Sequence, residues 1–511
     1  MLLRWWFNQG TRLAGAPRVL GLTVTRDEWR QAAEGIAAGG GRLLALWASR
    51  DRDGGNLIRA AFAAESEVLV LTLALPASDA WYPGIEQVFP AANRMQRTVF
   101  DLSGLRTTAT DTRPWLRHAA WRTDFHPLVD SEMQVPPERV MDKYPFVRVE
   151  GEGVHEIAVG PVHAGTIEPG HFRFSVVGEK VLRLEERLGY AHKGIERRFT
   201  QLPLLEAHRL AARISGDSAV AFSWAYCQAL EGMAGIAIPL RATWLRALAL
   251  ELERIANHLG DLGALGNDAG FAFGLAQFSR LKEHLLRAIE QGFGQRYLLD
   301  LIVPGGTRVD LAPASARPLA ECIQSTTDEV ATLRTIYDEH AGVRDRFAGA
   351  GIVTPELAKK LGLIGLAGRA SGQGFDLRVD MPCDPYVQLA PKLVTHVEGD
   401  VAARVAVRFD ELMESARMVQ LLLKHLPRES HRVAIAAPTE AAAGVGLIEG
   451  WRGPVFIALE TDGDGQIRRC HAHDPSWQNW PVIEYAAIDN IVPDFPLINK
   501  SFNLSYSGHD L

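Results

Sequence analysis

Four short segments of this chain combine residue types that hold and move protons. The first is Gly160-Pro161-Val162-His163-Ala164-Gly165, followed closely by Glu168-Pro169-Gly170-His171. It sets two histidines and a carboxylate on a glycine- and proline-rich turn. An imidazole there can donate to a carbonyl and pass a proton near neutral pH, although a structural histidine satisfied by its own turn is the plainer reading. The second, Leu188-Gly189-Tyr190-Ala191-His192-Lys193-Gly194-Ile195-Glu196, packs a phenol, an imidazole, an amine and a carboxylate between glycines. Its plainer reading is a charged loop leading into a helix. The third, Arg213-Ile214-Ser215-Gly216-Asp217-Ser218, stands at the head of an apolar helix, where Ser218 or Asp217 alone would serve as an N-cap. The fourth is Glu251, Arg254 and His258, whose spacings of three and four put them on one helix face. The helix that carries them is too apolar to be solvated all round, and buried ionisable groups need partners, so this trio reads as a buried polar network.

Such groups need a scaffold, and the hydrophobic pattern supplies one. Between Pro239 and Asp261, Leu245, Leu248, Leu252, Ile255 and Leu259 alternate at three and four, the stripe of a packed helix, which Leu262 continues. Leu204–Ala234, Ser279–Asp300, Pro318–Phe347 and Asp400–Leu426 are further helix candidates, with Pro318 suited to a first helical position, and Thr354 before Pro355 is a helix start. Phe146 to Val181 and the C-terminal stretch, with VAIAAPT and GPVFIALETDGDG, have the texture of strands and turns. Residues 1–135 read as a separate small α+β unit, with a helix over Asp27–Ala37 ended by Gly39 to Gly41 and strands over Leu57–Ala63 and Glu67–Leu75. Pro136, Pro137 and Pro145 mark residues 136–148 as a linker. The expected fold class is α+β: a small N-terminal α+β domain, then a large, mainly helical domain over 149–511, a long-helix bundle with β segments at both of its ends.

Bulk properties exclude several functions. The chain has 511 residues, 47% hydrophobic and 23% charged, with a net charge of −7, so nothing recruits nucleic acid by bulk charge. The N-terminus does not read as a signal peptide, and no run of about 18 apolar residues would span a bilayer. The four cysteines form no CxxC pair, which argues against a nickel–iron centre or an iron–sulfur cluster and for a reduced compartment. Cys470-His471-Ala472-His473-Asp474 lacks a second ligand cluster nearby, so no metal site is assigned there. No GxGxxG fingerprint after a strand and no Walker A segment occurs, so NADH-linked chemistry would enter only through an assembled complex.

Taken in order, GPVHAG, EPGHFRF, LGYAHKGIE, RISGDS, LELERIANHLGDLGAL, PGGTRVDL and SFNLSYSGHDL resemble the large subunit of membrane-bound (group 4) [NiFe] hydrogenases. They are also similar to the 49-kDa subunit of respiratory complex I. Residues 1–135 resemble the complex I 30-kDa subunit through FPAANRMQRTVFDLSGL and Phe125-His126-Pro127-Leu128, with Gln96 and Thr98 at its usual acidic positions. Hydrogenases of this family hold their metals with four thiolates from an RxCGxC and a DPCxxC motif. The matching positions here are Ser215, Ser218, Ser505 and Gly508. A serine hydroxyl stays protonated near neutral pH and binds soft metals poorly, so the resemblance implies a fold kept without nickel and without H2 chemistry. By similarity to complex I it allows a quinone at His171, with His163 nearby. Glu196 matches a glutamate near the hydrogenase metal site, and His192, Glu168, Glu251, Arg254 and His258 are candidates for a buried relay in which low dielectric raises carboxylate pKa values. The implied partners are an Fe–S small subunit and integral membrane subunits, with this chain peripheral on the cytoplasmic, inner face of the cell membrane. The expected function is that of a subunit which couples electron transfer from the Fe–S partner to quinone reduction or proton movement; the alternative is a non-catalytic scaffold.

Overall fold

The computed structural model describes residues 2–51, 53–130, 143–162 and 167–511. His163 and the 136–142 part of the expected linker lie outside the described residues. In the N-terminal region the expected helix spans Arg26–Ala38, opened by a reciprocal cap between Thr25 and Glu28. The apolar runs form the strands Asn56–Ala64 and Glu67–Leu75. They belong to a five-stranded sheet ordered Thr11–Arg12, Val19–Val24, Glu67–Leu75, Asn56–Ala64 and Arg42–Arg50, antiparallel except where Val19–Val24 runs parallel to Glu67–Leu75. The strands Arg42–Arg50, Asn56–Ala64 and Glu67–Leu75 are buried along nearly their whole length because both faces are covered. On one face lie the helices Arg26–Ala38 and Ala92–Ser103, and on the other Trp47, Ala61 and Val70 pack with Val445, Phe456 and Ala458 of the C-terminal sheet.

That C-terminal sheet consists of Ile467–His473, Pro454–Thr461 and Ala443–Glu449, and its fourth strand is Ala14–Gly15 from the far end of the sequence. Gly15 has φ 105°, and a Cβ there would collide with the carbonyl oxygen of Val445, so the close parallel pairing requires glycine. The two regions that differ in sequence texture therefore share one core. Arg94 reinforces the join by pairing with the buried Glu186, and with Glu484 at 2.7 Å.

The larger region is built on the helix Leu240–Asp268, which packs against Ala272–Phe293 and Val401–His425, with Pro313–Glu339 alongside. Its leucine stripe is buried throughout. Three expected helices are corrected. Ser279–Asp300 shifts to Ala272–Phe293, because the chain stops at Gly294 in the left-handed region (φ 74°). Pro318–Phe347 starts earlier, with Pro313 in its first turn and Pro318 inside, and breaks at His340, whose ring accepts from Val343 N and opens a second helix, Ala341–Phe347. Leu204–Ala234 splits into His208–Ala211 and Ala219–Met233, with the RISGDS segment between them. A three-stranded sheet, Val154–Val159, His171–Val177 and Lys180–Arg187, completes the region.

Arg94→Met should leave Glu186 buried without its cation. Unfolding monitored by tryptophan fluorescence, with Trp115 4.4 Å beneath the guanidinium as a reporter, should show a loss of about 3–5 kcal/mol. Removing the exposed Arg30–Glu34 pair should leave the transition unchanged.

Candidate functional site

The RISGDS segment and the C-terminal SFNLSYSGHDL segment meet. Ser215 Oγ lies 2.9 Å from Ser505 Oγ and donates to Asp217 Oδ1 at 2.7 Å. Ser505 Oγ in turn accepts the Gly508 N–H at 2.8 Å. Arg452 closes the corner with a two-point pair to Asp217, at 2.7 and 2.5 Å, and approaches Ser218 Oγ at 3.3 Å. Beside Gly508 sits Asp474, wholly buried, its Oδ2 without a hydrogen-bond partner among the described residues. A Cβ on residue 508 would meet that oxygen at 2.7 Å, so the carboxyl occupies the space a side chain would need. Ser218 makes no capping bond; Glu253 of the long helix caps the helix Ala219–Met233 instead, its Oε2 accepting Val220 N at 2.7 Å.

The same C-terminal turn gathers the first two segments. Glu168 accepts Ser507 N at 3.0 Å, and Asp510 accepts Gly189 N and Ala191 N at 2.8 and 3.0 Å. His192 Nδ1 donates to the Asp510 carbonyl at 3.2 Å. His171 stands at the head of its strand, its Nδ1–H donating to Gly160 O at 2.9 Å and its ring 5.2 Å from that of Phe146. The residue before it, Gly170, lies against the Tyr506 ring. His171 is thus next to the turn but makes no bond to the serine corner.

Glu251, Arg254 and His258 do share a fully buried face. Glu251 is held by Arg378 at 3.1 Å, Tyr386 OH at 2.7 Å, Ser415 Oγ at 2.6 Å and Arg254 at 3.3 Å. His258 Nε2 meets Glu411 at 3.1 Å. Arg369 joins Glu411 at 2.6 Å to Glu449 at 2.8 Å, and Arg378 pairs with Asp376 at 2.7 Å. Three arginines (Arg254, Arg369, Arg378) thus face four carboxylates (Glu251, Asp376, Glu411, Glu449), and burial keeps the His258 ring toward neutrality. One carboxylate is in excess, and a buried excess charge is relieved by a proton. Burial, aided by Asp376 and opposed by Arg369, pushes Glu449 up to about 7, while burial is outweighed at Glu251 and Glu411 by their cations, which hold both low.

This corrects the expectation that burial would raise the candidate carboxylates. Glu196 is buried, yet Arg469 at 2.9 Å and His471 at 2.6 Å overcome desolvation and hold it at about 2. It is a fixed charge, not a proton carrier. Carboxylates that burial does raise, among them Glu449 and Glu253 (the latter to about 8), were not singled out from the sequence. Nor were Arg369, Arg378, Glu411 and Arg452. The readable signal was the charged pair within the apolar run Leu447 to Phe456.

The donor set does not fit a nickel–iron centre. Three hydroxyls engaged in hydrogen bonds and a glycine stand where four thiolates would be needed, and a guanidinium, repelling any metal cation, stands among them.

Residues 268–445 match the family described as "Respiratory-chain NADH dehydrogenase, 49 Kd subunit". The chain is 30% identical to Hydrogenase-4 component G of Escherichia coli K12, over 88% of this chain and 79% of that protein. It is 27% identical to the C/D subunit of NADH-quinone oxidoreductase from Bacteroides fragilis, over 76% of this chain and 77% of that protein. Its fold is similar to a chain in the structure of the membrane-bound sulfane sulfur reductase, an archaeal respiratory membrane complex, with a TM-score of 0.66, 23% identity and coverage of 70% of this chain and 99% of that one. The chain belongs to the family of hydrogenase large subunits and complex I 49-kDa subunits.

Between the ordinary carboxylate range and about pH 7, folded Glu449 retains a proton that the unfolded chain has released. Stability contributed at this site therefore falls as pH rises through that window. Denaturation of Glu449→Gln against the parent at a series of pH values should show the variant losing stability less steeply from about pH 5 to pH 7.

Proposed function

We propose that this chain is a subunit of a membrane-associated, complex-I-like oxidoreductase complex that couples electrons from an Fe–S small subunit to quinone reduction or proton movement without a nickel–iron centre of its own. The observation that carries the reading is the thiolate-free corner, closed by the Ser215–Ser505 hydrogen bond and the Arg452–Asp217 pair. The matches to hydrogenase and NADH-quinone oxidoreductase subunits support the class of complex. No described helix is long and apolar enough to cross a membrane; integral partner subunits would hold the chain at the inner face of the cell membrane. NADH chemistry reaches it only through the complex.

A bound quinone would supply the two-electron acceptor. This chain supplies protons. His171 has its Nδ1–H committed to Gly160 O, so its Nε2 carries a proton only as imidazolium. That is the proton it would hand to a quinone oxygen, since Nε2 is without a partner among the described residues. The excess carboxylate at Glu449 is a second proton store within the same fold.

A structural-subunit reading draws on the same corner, because Arg452 and Asp217 satisfy each other without a ligand. Quinone-reductase assays on the purified complex separate the two. Turnover in the parent that falls at least about 10²-fold in His171→Ala with assembly intact supports the proton-donor role. Full turnover in the variant contradicts that role, and an assembled parent with no turnover favours the structural reading.

A further inference from the structure

Residues 431–437 begin as a paired strand and continue as an open edge. Arg432 bridges Gly306, His431 O accepts Thr307 N at 3.1 Å, and Val433 N donates to Gly305 O at 2.9 Å. Beyond that point, Ala434 to Ala437 make no backbone hydrogen bond among the described residues. Their exposure nevertheless keeps a strand's alternation: Arg432, Ala434 and Ala436 face outward, while Val433, Ile435 and Ala437 are half-buried. A row of open N–H and C=O groups on an extended edge is a template for one more strand.

This edge forms a wall of a recess of about 1140 Å³ that is positively charged, with Arg209, Arg213, Arg308 and Arg432 against Glu206 and Asp300. Asp300 is already taken by Arg213 in a two-point pair at 2.6 and 2.8 Å, and Glu206 lies 3.8 Å from Arg209. Arg308 and Arg432 are exposed. Neither has a carboxylate partner among the described residues. The rim is held in place at a conformational cost, since Leu298 and Asp300 both lie in the left-handed region at φ 57° and 59°. On a chain of net charge −7, a local surplus of cations beside an open strand edge selects for an acidic occupant.

We propose that this edge receives an extended acidic segment of another subunit of the complex, which pairs its backbone with residues 434–437 and its carboxylates with Arg308 and Arg432. The proposal rests on the reading that the chain works within a multisubunit complex, but not on quinone chemistry.

The test is photo-cross-linking in the intact complex with p-benzoylphenylalanine in place of Ala434, followed by mass spectrometry of the adduct. The expected adduct maps to a segment of another subunit in which acidic residues outnumber basic ones. Its yield should fall by about tenfold when Arg308→Glu and Arg432→Glu are combined, with circular dichroism and the melting transition unchanged. An adduct on lipid or nucleic acid, an adduct on a segment without net negative charge, a yield unmoved by charge reversal, or no adduct above background each overturns the proposal. In the parent complex, the expected adduct without quinone turnover counts against the functional reading alone; quinone turnover without that adduct counts against this one.

Discussion

Arg254 lies wholly inside the protein and donates to the carbonyl oxygens of Gly450 at 3.0 Å and Glu449 at 2.7 Å. A buried guanidinium must be neutralised and its donors satisfied, and the way this one is satisfied fixes the loop that follows. The loop then has three duties. Glu449 turns to Arg369, Trp451 Nε1 donates to the Asp217 carbonyl at 2.8 Å, and Arg452 clamps the Asp217 carboxylate. The ionic network on the long helix and the serine corner are therefore one object, joined through four consecutive residues. Asp261, further along the same helix, ties the far side by accepting from Arg408 at 2.8 Å and from Asn503 at 2.6 Å.

Across the buried interior, burial acts on carboxylates in two opposite ways. Where cations are in contact, as at Glu196, Glu251 and Glu411, charge is locked in place and cannot carry a proton through the physiological range. Where cations run short, as at Glu449, desolvation prevails and a proton is retained. At Glu449 the locked charges of the neighbouring arginines and carboxylates thus surround a titratable group. The corner itself is neutral by construction, with Arg452 against Asp217. Asp474 beside Gly508 is pushed up by burial, with Arg452 opposing.

Much of this was legible in the residues. The stripe from Leu245 to Leu262 gave the central helix, and the three-and-four spacing of Glu251, Arg254 and His258 placed them on its buried face. The serine and glycine positions at 215 and 218 and at 505 and 508 pointed to one pocket, and Ser215 does meet Ser505. What sequence pattern could not supply was long-range pairing. Ala14–Gly15 gives no strand signal of its own, because its partner is Ala443–Glu449 at the other end of the chain. Glu196 looked like a proton carrier because its partners Arg469 and His471 lie some 270 residues away in the chain and beyond any local pattern. The helix break at His340 depended on one imidazole accepting a backbone N–H, a competition that periodicity does not register.

The central claim is that the corner between residues 215, 218, 505 and 508 works without a metal. Quantifying nickel by mass spectrometry in the purified, active complex, per mole of this chain, tests it most directly. The account predicts nickel far below one equivalent, with the iron content explained by the partner subunits' clusters. One nickel per chain, lost when Asp217 or Ser215 is replaced, would contradict it.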